Sequence, residues 1–281
     1  MWSVFEPVHA VVYFDPGVRA AFEEHGVRGF WRSYFAGRAA PMAGASAHQV
    51  AAAFYGFRYE MVARAIPSVW DLIAPDEAWT VRRRAAADVL RDRADEVGVE
   101  PREIEAAAVA LEEVVHRQHA AGRVLFAAHL DLETPDDPFE AIWQMCTLLR
   151  EHRGDGHVAA LTANGVGPVE SLLLAAHAGA VPVEHAVANR GWSDSDVDAA
   201  TAQMVAAGLV AESGGLTGRG EALRSSIETL TDVAAAPGWH VLTAEIRDEV
   251  WDVLHRLALA IAHRNLLTYP NPIGVTPPTR T

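Results

Sequence analysis

Phe139, Ile142, Trp143, Cys146 and Leu149 recur at the period of an α-helix and form one apolar stripe. A helix with that stripe must be buried against other elements, so the rest of the chain has to pack around it. The row Ile142, Met145, Leu149 reaches His152 three residues on, which puts that imidazole on the buried side of the helix end. There the sequence reads Glu151-His152-Arg153-Gly154-Asp155-Gly156-His157. Gly154 is expected to end the helix and Asp155 to cap the next, with Leu161 one turn beyond His157 on the same face. On that geometry His152 and His157 converge across a bend. Asp155 orients one imidazole, and Arg153 holds an anionic substituent of a ligand. The plainer alternative makes Asp155 a helix cap, Arg153 a structural ion pair and one histidine a core residue.

The first seventy residues hold 14 of the 22 aromatic side chains, enough large rings to form a core or line a cavity. Pro7-Val8-His9-Ala10-Val11-Val12-Tyr13-Phe14 is apolar enough to be buried, and Glu6-Pro7-Val8-His9 is not expected on a helix. Short helices are expected from about Val18, then over about 27–37, 46–56 and 58–73, broken at Gly37, Pro41, Gly56 and Pro67. Residues 76–95 form an arginine-rich helix with a solvated, ion-paired face. A helix over about 101–121 follows, and on it Glu112, His116 and His119 share a flank. Glu113-x-x-His116 has the spacing of half a carboxylate di-iron site, without a second half. Pro138 near the first turn opens the helix that carries the stripe.

From about residue 168 the pattern changes to helices at 169–178, 183–189 and 193–207. Leu209-Val210 and Leu216 then flank Gly214-Gly215 as a short β-hairpin, and Thr217 caps a helix to about 234. The order resembles the MarR-type winged helix, whose wing signature matches Gly208-Leu209-Val210, Leu216-Thr217, Gly220 and Leu223. Nearly the whole chain also resembles an actinobacterial helix-turn-helix family. That likeness rests on Pro7-Val8-His9, Phe54-Tyr55, Leu149 to His157, Gly191-Trp192-Ser193 and Pro270-Asn271-Pro272. It implies a fold and no mechanism. Residues 241–264 form a last amphipathic helix that either closes the domain or pairs with a second copy in a homodimer. The proline-containing tail after Tyr269 is expected to run extended over the surface.

The chain is thus read as all-α with one small β-hairpin wing. Its parts are an aromatic helical region (1–135), central helices with the histidine motif (136–165), a winged-helix module (166–235) and a C-terminal helix and tail (236–281). Its net charge is −14, and none of its 23 basic residues is lysine. That excludes a Schiff-base lysine and a P-loop lysine. The third module helix opens Ser193-Asp194-Ser195-Asp196-Val197-Asp198, and no arginine occurs from Gly191 to Gly218. Acidic groups there repel a duplex, so nucleic acid is not the expected partner. One cysteine, no leader-like start and no long apolar run point to a cytoplasmic protein without a membrane span.

The leading expectation is a cavity that binds, and in one version transforms, a small apolar or aromatic molecule. Its contacts are His9, Tyr13, Phe54, Tyr55, His152, Arg153 and His157, with Asp155, His152 and His157 as the candidates for chemistry. The alternatives are a haem- or metal-dependent enzyme, with zinc or iron on His9, His152 and His157, and a MarR-like transcriptional regulator.

Overall fold

Five helices open on proline at their first turn: those starting at Pro16, Pro75, Pro101, Pro138 and Pro168. Proline loses nothing there, because the first-turn N–H has no partner within the helix and the ring presets φ. The computed structural model describes residues 1–179 and 182–264, with Leu267, Asn271 and Pro277. The proline-containing tail expected beyond Tyr269 lies outside the described residues, apart from Asn271 and Pro277.

The helices are α1 (Trp2–Phe14), α2 (Pro16–Glu24), α3 (Phe30–Ala39), α4 (Ala47–Phe54), α5 (Tyr59–Ala63), α6 (Pro75–Val97) and α7 (Pro101–His116). They continue with α8 (Val124–Leu130), α9 (Pro138–Ala163), α10 (Pro168–His177), α11 (Val183–Ala188), α12 (Asp194–Ala206), α13 (Gly218–Ala235) and α14 (Ala244–His263). No strand forms among the described residues, which bears out the helical class. The expected wing reduces to a single antiparallel bridge between Val210 and Leu216. α12 ends at Ala206 and α13 starts at Gly218, so too few residues remain on either side of the turn at Gly214 and Gly215 to extend a ladder.

Two hydrophobic cores share one helix. The larger joins α1 through α8 to the first half of α9 and to α14. The smaller joins Ala160 and Leu161, at the far end of α9, to α10–α13. Val250, Val253, Leu254, Leu257 and Ile261 are buried on α14 against the larger core, so this helix closes the domain. No single helix among the described residues is long and apolar enough to cross a membrane.

Two sequence expectations fail on backbone grounds. Pro7 lies inside α1, so Glu6-Pro7-Val8-His9 is helical after all. An interior proline costs a helix about 3 kcal/mol, but α1 buries Val4, Phe5, Val8 and Val11 in the core, enough to offset it. The bend at Gly154 does not exist either: α9 runs unbroken through Glu151-to-His157. Residues five apart on one helix face about 140° apart, so His152 and His157 diverge.

Tertiary contacts hold the glycine-containing stretch helical. The Arg123 guanidinium passes directly over Gly156 and donates to the His152 carbonyl oxygen and, at 3.0 Å, to that of Ala234. A Cβ at Gly156 would stand 2.6 Å from Arg123 Nη1, so here the glycine is needed for a close approach. Asp155 caps a helix, but not its own. Its carboxylate accepts the Phe126 N–H at 2.9 Å in the first turn of α8. Gly156→Ala is therefore expected to lower unfolding free energy by about 1–3 kcal/mol, even though alanine favours an exposed helix by about 1 kcal/mol. Urea unfolding of the variant measures this, and an increase in stability would contradict the Arg123 contact.

Candidate functional site

Where the two cores meet, one face of α9 borders a cavity of about 550 Å³. Arg150, Gly154, His157, Val158 and Leu161 line it at spacings that share a helix face. Trp2, Glu6 and Tyr13 enter from α1, and Phe30, Trp31, Tyr34 and Arg38 from α3. Phe54, Tyr55 and Phe57 form a third wall, and Leu172 and Arg190 close the side towards the smaller core. Tyr34 has ring centroids of Trp31, Phe35 and Phe57 at 5.4–5.5 Å, so the aromatic wall is a packed cluster.

The third wall is backbone-strained. Tyr55 has φ 54° and ψ −64°, and Gly56 N–H donates to the Phe54 carbonyl at 2.7 Å, a tight γ-turn. Contacts to the smaller core hold it. The Tyr55 hydroxyl donates to the Val166 carbonyl, Trp192 Nε1 to that of Gly56 at 3.0 Å, and Arg58 N–H to that of Arg190 at 2.9 Å.

The polar side of the cavity carries more cations than anions. Glu151, with no exposure, accepts from Arg38 Nε at 3.1 Å, Arg38 Nη2 at 3.0 Å and Arg150 Nη1 at 2.7 Å. Burial by itself raises a carboxyl pKa, but Arg150 and Arg38 outweigh it and hold Glu151 well below the usual carboxylate range. Glu6 has no exposure and neither of its oxygens has a hydrogen-bond partner among the described residues. Its nearest cation is Arg150, with Nε 3.8 Å away. Burial pushes Glu6 up to about 8, with Arg150 offsetting only part, so the group is a neutral carboxylic acid at pH 7. Arg190 lies 4.4 Å above the Phe57 ring and makes no ion pair among the described residues. Arg38, Arg150 and Arg190 thus face the cavity with no ionised carboxylate in its lining at neutral pH.

Behind this wall a chain of hydrogen bonds fixes Tyr13. Thr147 Oγ1 donates to the Trp143 carbonyl at 2.9 Å, so it accepts from His9 Nδ1–H at 2.9 Å. His9 Nε2 then accepts the Tyr13 hydroxyl at 2.9 Å, and Arg82 Nη2 donates to the same oxygen at 3.2 Å. Burial, reinforced by Arg150 and Arg82, keeps His9 neutral. Arg82 is buried rather than on the solvated face expected of its helix.

Among the expected ligand contacts, Tyr13, Phe54, Tyr55 and His157 line the cavity, and His9 stands behind Tyr13. His152 lies elsewhere, 4.8 Å from the Phe126 ring and beside a smaller cavity under Trp2 and Trp239. Its pKa is pushed down to about 4 by burial and then by Arg123. Arg153 is spent on Glu228 and Asp232, both at 3.0 Å, and stacks over Trp2. Asp155 is spent on α8, and burial pushes it up to about 6. His9, His152 and His157 therefore do not assemble a zinc or iron site, and no cluster able to hold a metal ion occurs among the described residues. Glu113 and His116 are exposed on α7, so that flank faces solvent.

Sequence reasoning missed Glu6, Arg38, Arg150 and Arg190. The signal for Arg150 was available: it precedes His157 by seven residues, two turns on one face. A family model described as "Helix-turn-helix family" matches residues 1–268. No curated protein and no solved structure matches the chain.

Glu6 makes a pH-dependent prediction. A carboxyl with a higher pKa folded than unfolded favours the native state while protonated. Its contribution is complete below the ordinary value of 4.5 and is lost as pH rises through about 8. Glu6→Gln cannot ionise, so its stability should gain on that of the wild type steadily across this window. Denaturant melts of both proteins at several pH values measure the difference, and parallel curves would place Glu6 in water rather than in the core.

Proposed function

The chain belongs to the helix-turn-helix family matched over residues 1–268, and within it we propose that the cavity against α9 binds a small aromatic anion. One observation carries the reading: an aromatic-walled cavity in a protein of net charge −14 faces inward with Arg38, Arg150 and Arg190. Surface charge on such a protein repels anions, so cations gathered on an apolar pocket serve a local partner. The volume lies within the range of small-molecule sites, and the rings supply apolar contact. A carboxylate suits the arginines, because guanidinium nitrogens form charge-assisted bonds to planar oxyanions. Burial leaves Glu6 protonated, so of the two carboxyl groups beside these arginines only Glu151, paired with Arg38 and Arg150, is charged.

DNA is not part of this reading. The start of α12, the end that would enter a major groove, exposes Asp194, Ser195 and Asp198. Asp196 is held by Ser193 and Arg58, and a Cβ on Gly191 would meet Met61 Cβ at 2.9 Å. These contacts support a scaffold role for the helix-turn-helix elements. Salt-sensitive duplex binding at physiological ionic strength would instead favour a ligand-responsive regulator.

Isothermal titration with biphenyl-4-carboxylate and 2-naphthoate, each against its carboxamide, tests the proposal. The acids should bind at least about tenfold more tightly than the amides, the size of one hydrogen bond to a charged group. Arg190→Ala should remove most of that preference. Affinity for the acids should also fall as pH rises through about 8, because ionised Glu6 then shares the cavity. Equal affinity of acids and amides, or no binding by either, would reject the reading.

A further inference from the structure

We infer that the ligand is an elongated aryl acid with a hydroxyl group at the end away from its carboxylate, laid along α9 over Gly154 so that the hydroxyl donates to His157 Nε2. The inference rests on the anion-binding reading above and specifies its ligand.

Three observations on α9 lead to it. Arg150 and His157 both line the cavity, and seven residues separate them, about 10 Å along the helix axis on nearly the same face. The acid-binding end is assigned to Arg150, which shares Glu151 with Arg38 and lines the same cavity as Arg190. The far end has a defined polarity. Thr231 Oγ1 donates to the Ile227 carbonyl at 2.8 Å, so it can only accept from His157, at 3.0 Å. That places the proton of His157 on Nδ1 and leaves Nε2 as an acceptor without a hydrogen bond among the described residues. Burial keeps the imidazole neutral, reinforced by Arg153 and Arg224 against the pull of Glu228. A neutral acceptor at that point selects a donor, and on an aromatic frame the common donor is a hydroxyl.

Gly154 supplies the third observation. It sits between the two groups on the cavity face, inside a helix, where glycine costs about 1 kcal/mol relative to alanine. Unlike Gly156, it is not required by a close approach. An added Cβ would meet only Arg150 Nη1 at 3.7 Å and Glu151 Oε2 at 3.9 Å, ordinary contact distances. The missing side chain therefore opens the floor of the cavity between the arginine and the histidine. A ligand spanning the two must cross that floor.

Two rings in line hold a carboxyl and a hydroxyl at a comparable separation, so 4′-hydroxybiphenyl-4-carboxylate is the probe and biphenyl-4-carboxylate its control. By isothermal titration the hydroxy acid should bind about tenfold more tightly, the upper range of a neutral hydrogen bond. His157→Phe should abolish that preference, bringing the two acids to equal affinity whatever the affinity of the control becomes. Gly154→Leu should block both acids while the melting temperature stays at or above that of the wild type, since leucine favours the helix. Equal wild-type affinity for the two acids, or a preference that survives in His157→Phe, overturns the inference and leaves anion binding intact. Binding of neither acid overturns both. The comparison of the two acids on the wild-type protein needs no variant, so it decides the matter even if His157→Phe fails to fold.

Discussion

Glu151 is a carboxylate with no access to water, held by three donated bonds from Arg38 and Arg150. Burying an unpaired charge costs several kcal/mol, and removing one partner from such a pair costs about 3–5 kcal/mol. The contact therefore fixes more than local geometry. Arg38 comes from α3 and Glu151 from α9, so the bidentate pair sets the distance between the aromatic wall and the central helix. Arg150 is held on the other side of the same carboxylate. Its Nε remains without a hydrogen bond and faces Glu6. The charge cluster thus places a polar bridge between α3 and α9 at the edge of the cavity.

The same cluster determines the charge of the cavity. One carboxylate is shared between two guanidiniums, which leaves the pair of arginines with a net positive charge. Glu6 does not neutralise it, because with no partner of its own it holds its proton. Arg82 adds a further buried cation behind Tyr13, bonded to the neutral Gly37 carbonyl and the phenol rather than to a carboxylate. An interior that is cationic inside an acidic protein is costly in isolation. A bound anion lowers that cost, which links the stability of the charge cluster to the proposed function.

Much of the fold was legible because local signals agreed. Pro138 at a first turn, Thr217 as a cap and the Phe139-to-Leu149 stripe all reappear in the structure. What was not legible depended on contacts distant in sequence. Gly154 reads as a helix end and Asp155 as the cap of the next, since nothing local reveals that Arg123 crosses Gly156 or that Asp155 serves α8. A bend would make His152 and His157 converge; along a continuous helix they point apart, and His157 shares its face with Arg150 instead. Tyr13, Phe54 and Tyr55 were found because aromatic density marks a wall whatever its exact path. Glu6 was passed over because Pro7 argued against a helix there, and only the burial of α1 overrules that local preference.

The helix-turn-helix elements take their meaning from where they are anchored. In a groove-reading module the start of the third helix is left free to meet bases. Here that start follows Gly191 and Trp192, which pack on Met61 and Gly56, while Arg58 holds both the Arg190 carbonyl and Asp196. The strained turn at Tyr55 depends on the same set of contacts, and Arg190 reaches the cavity from within it. The acidic residues of α12 fit this arrangement: Asp196 completes the capping box with Ser193 and pairs with Arg58, and Asp194 and Asp198 are exposed. The contacts of this module with Tyr55, Gly56 and Arg58 thus make part of it a wall of the cavity and position Arg190 and Tyr55 there.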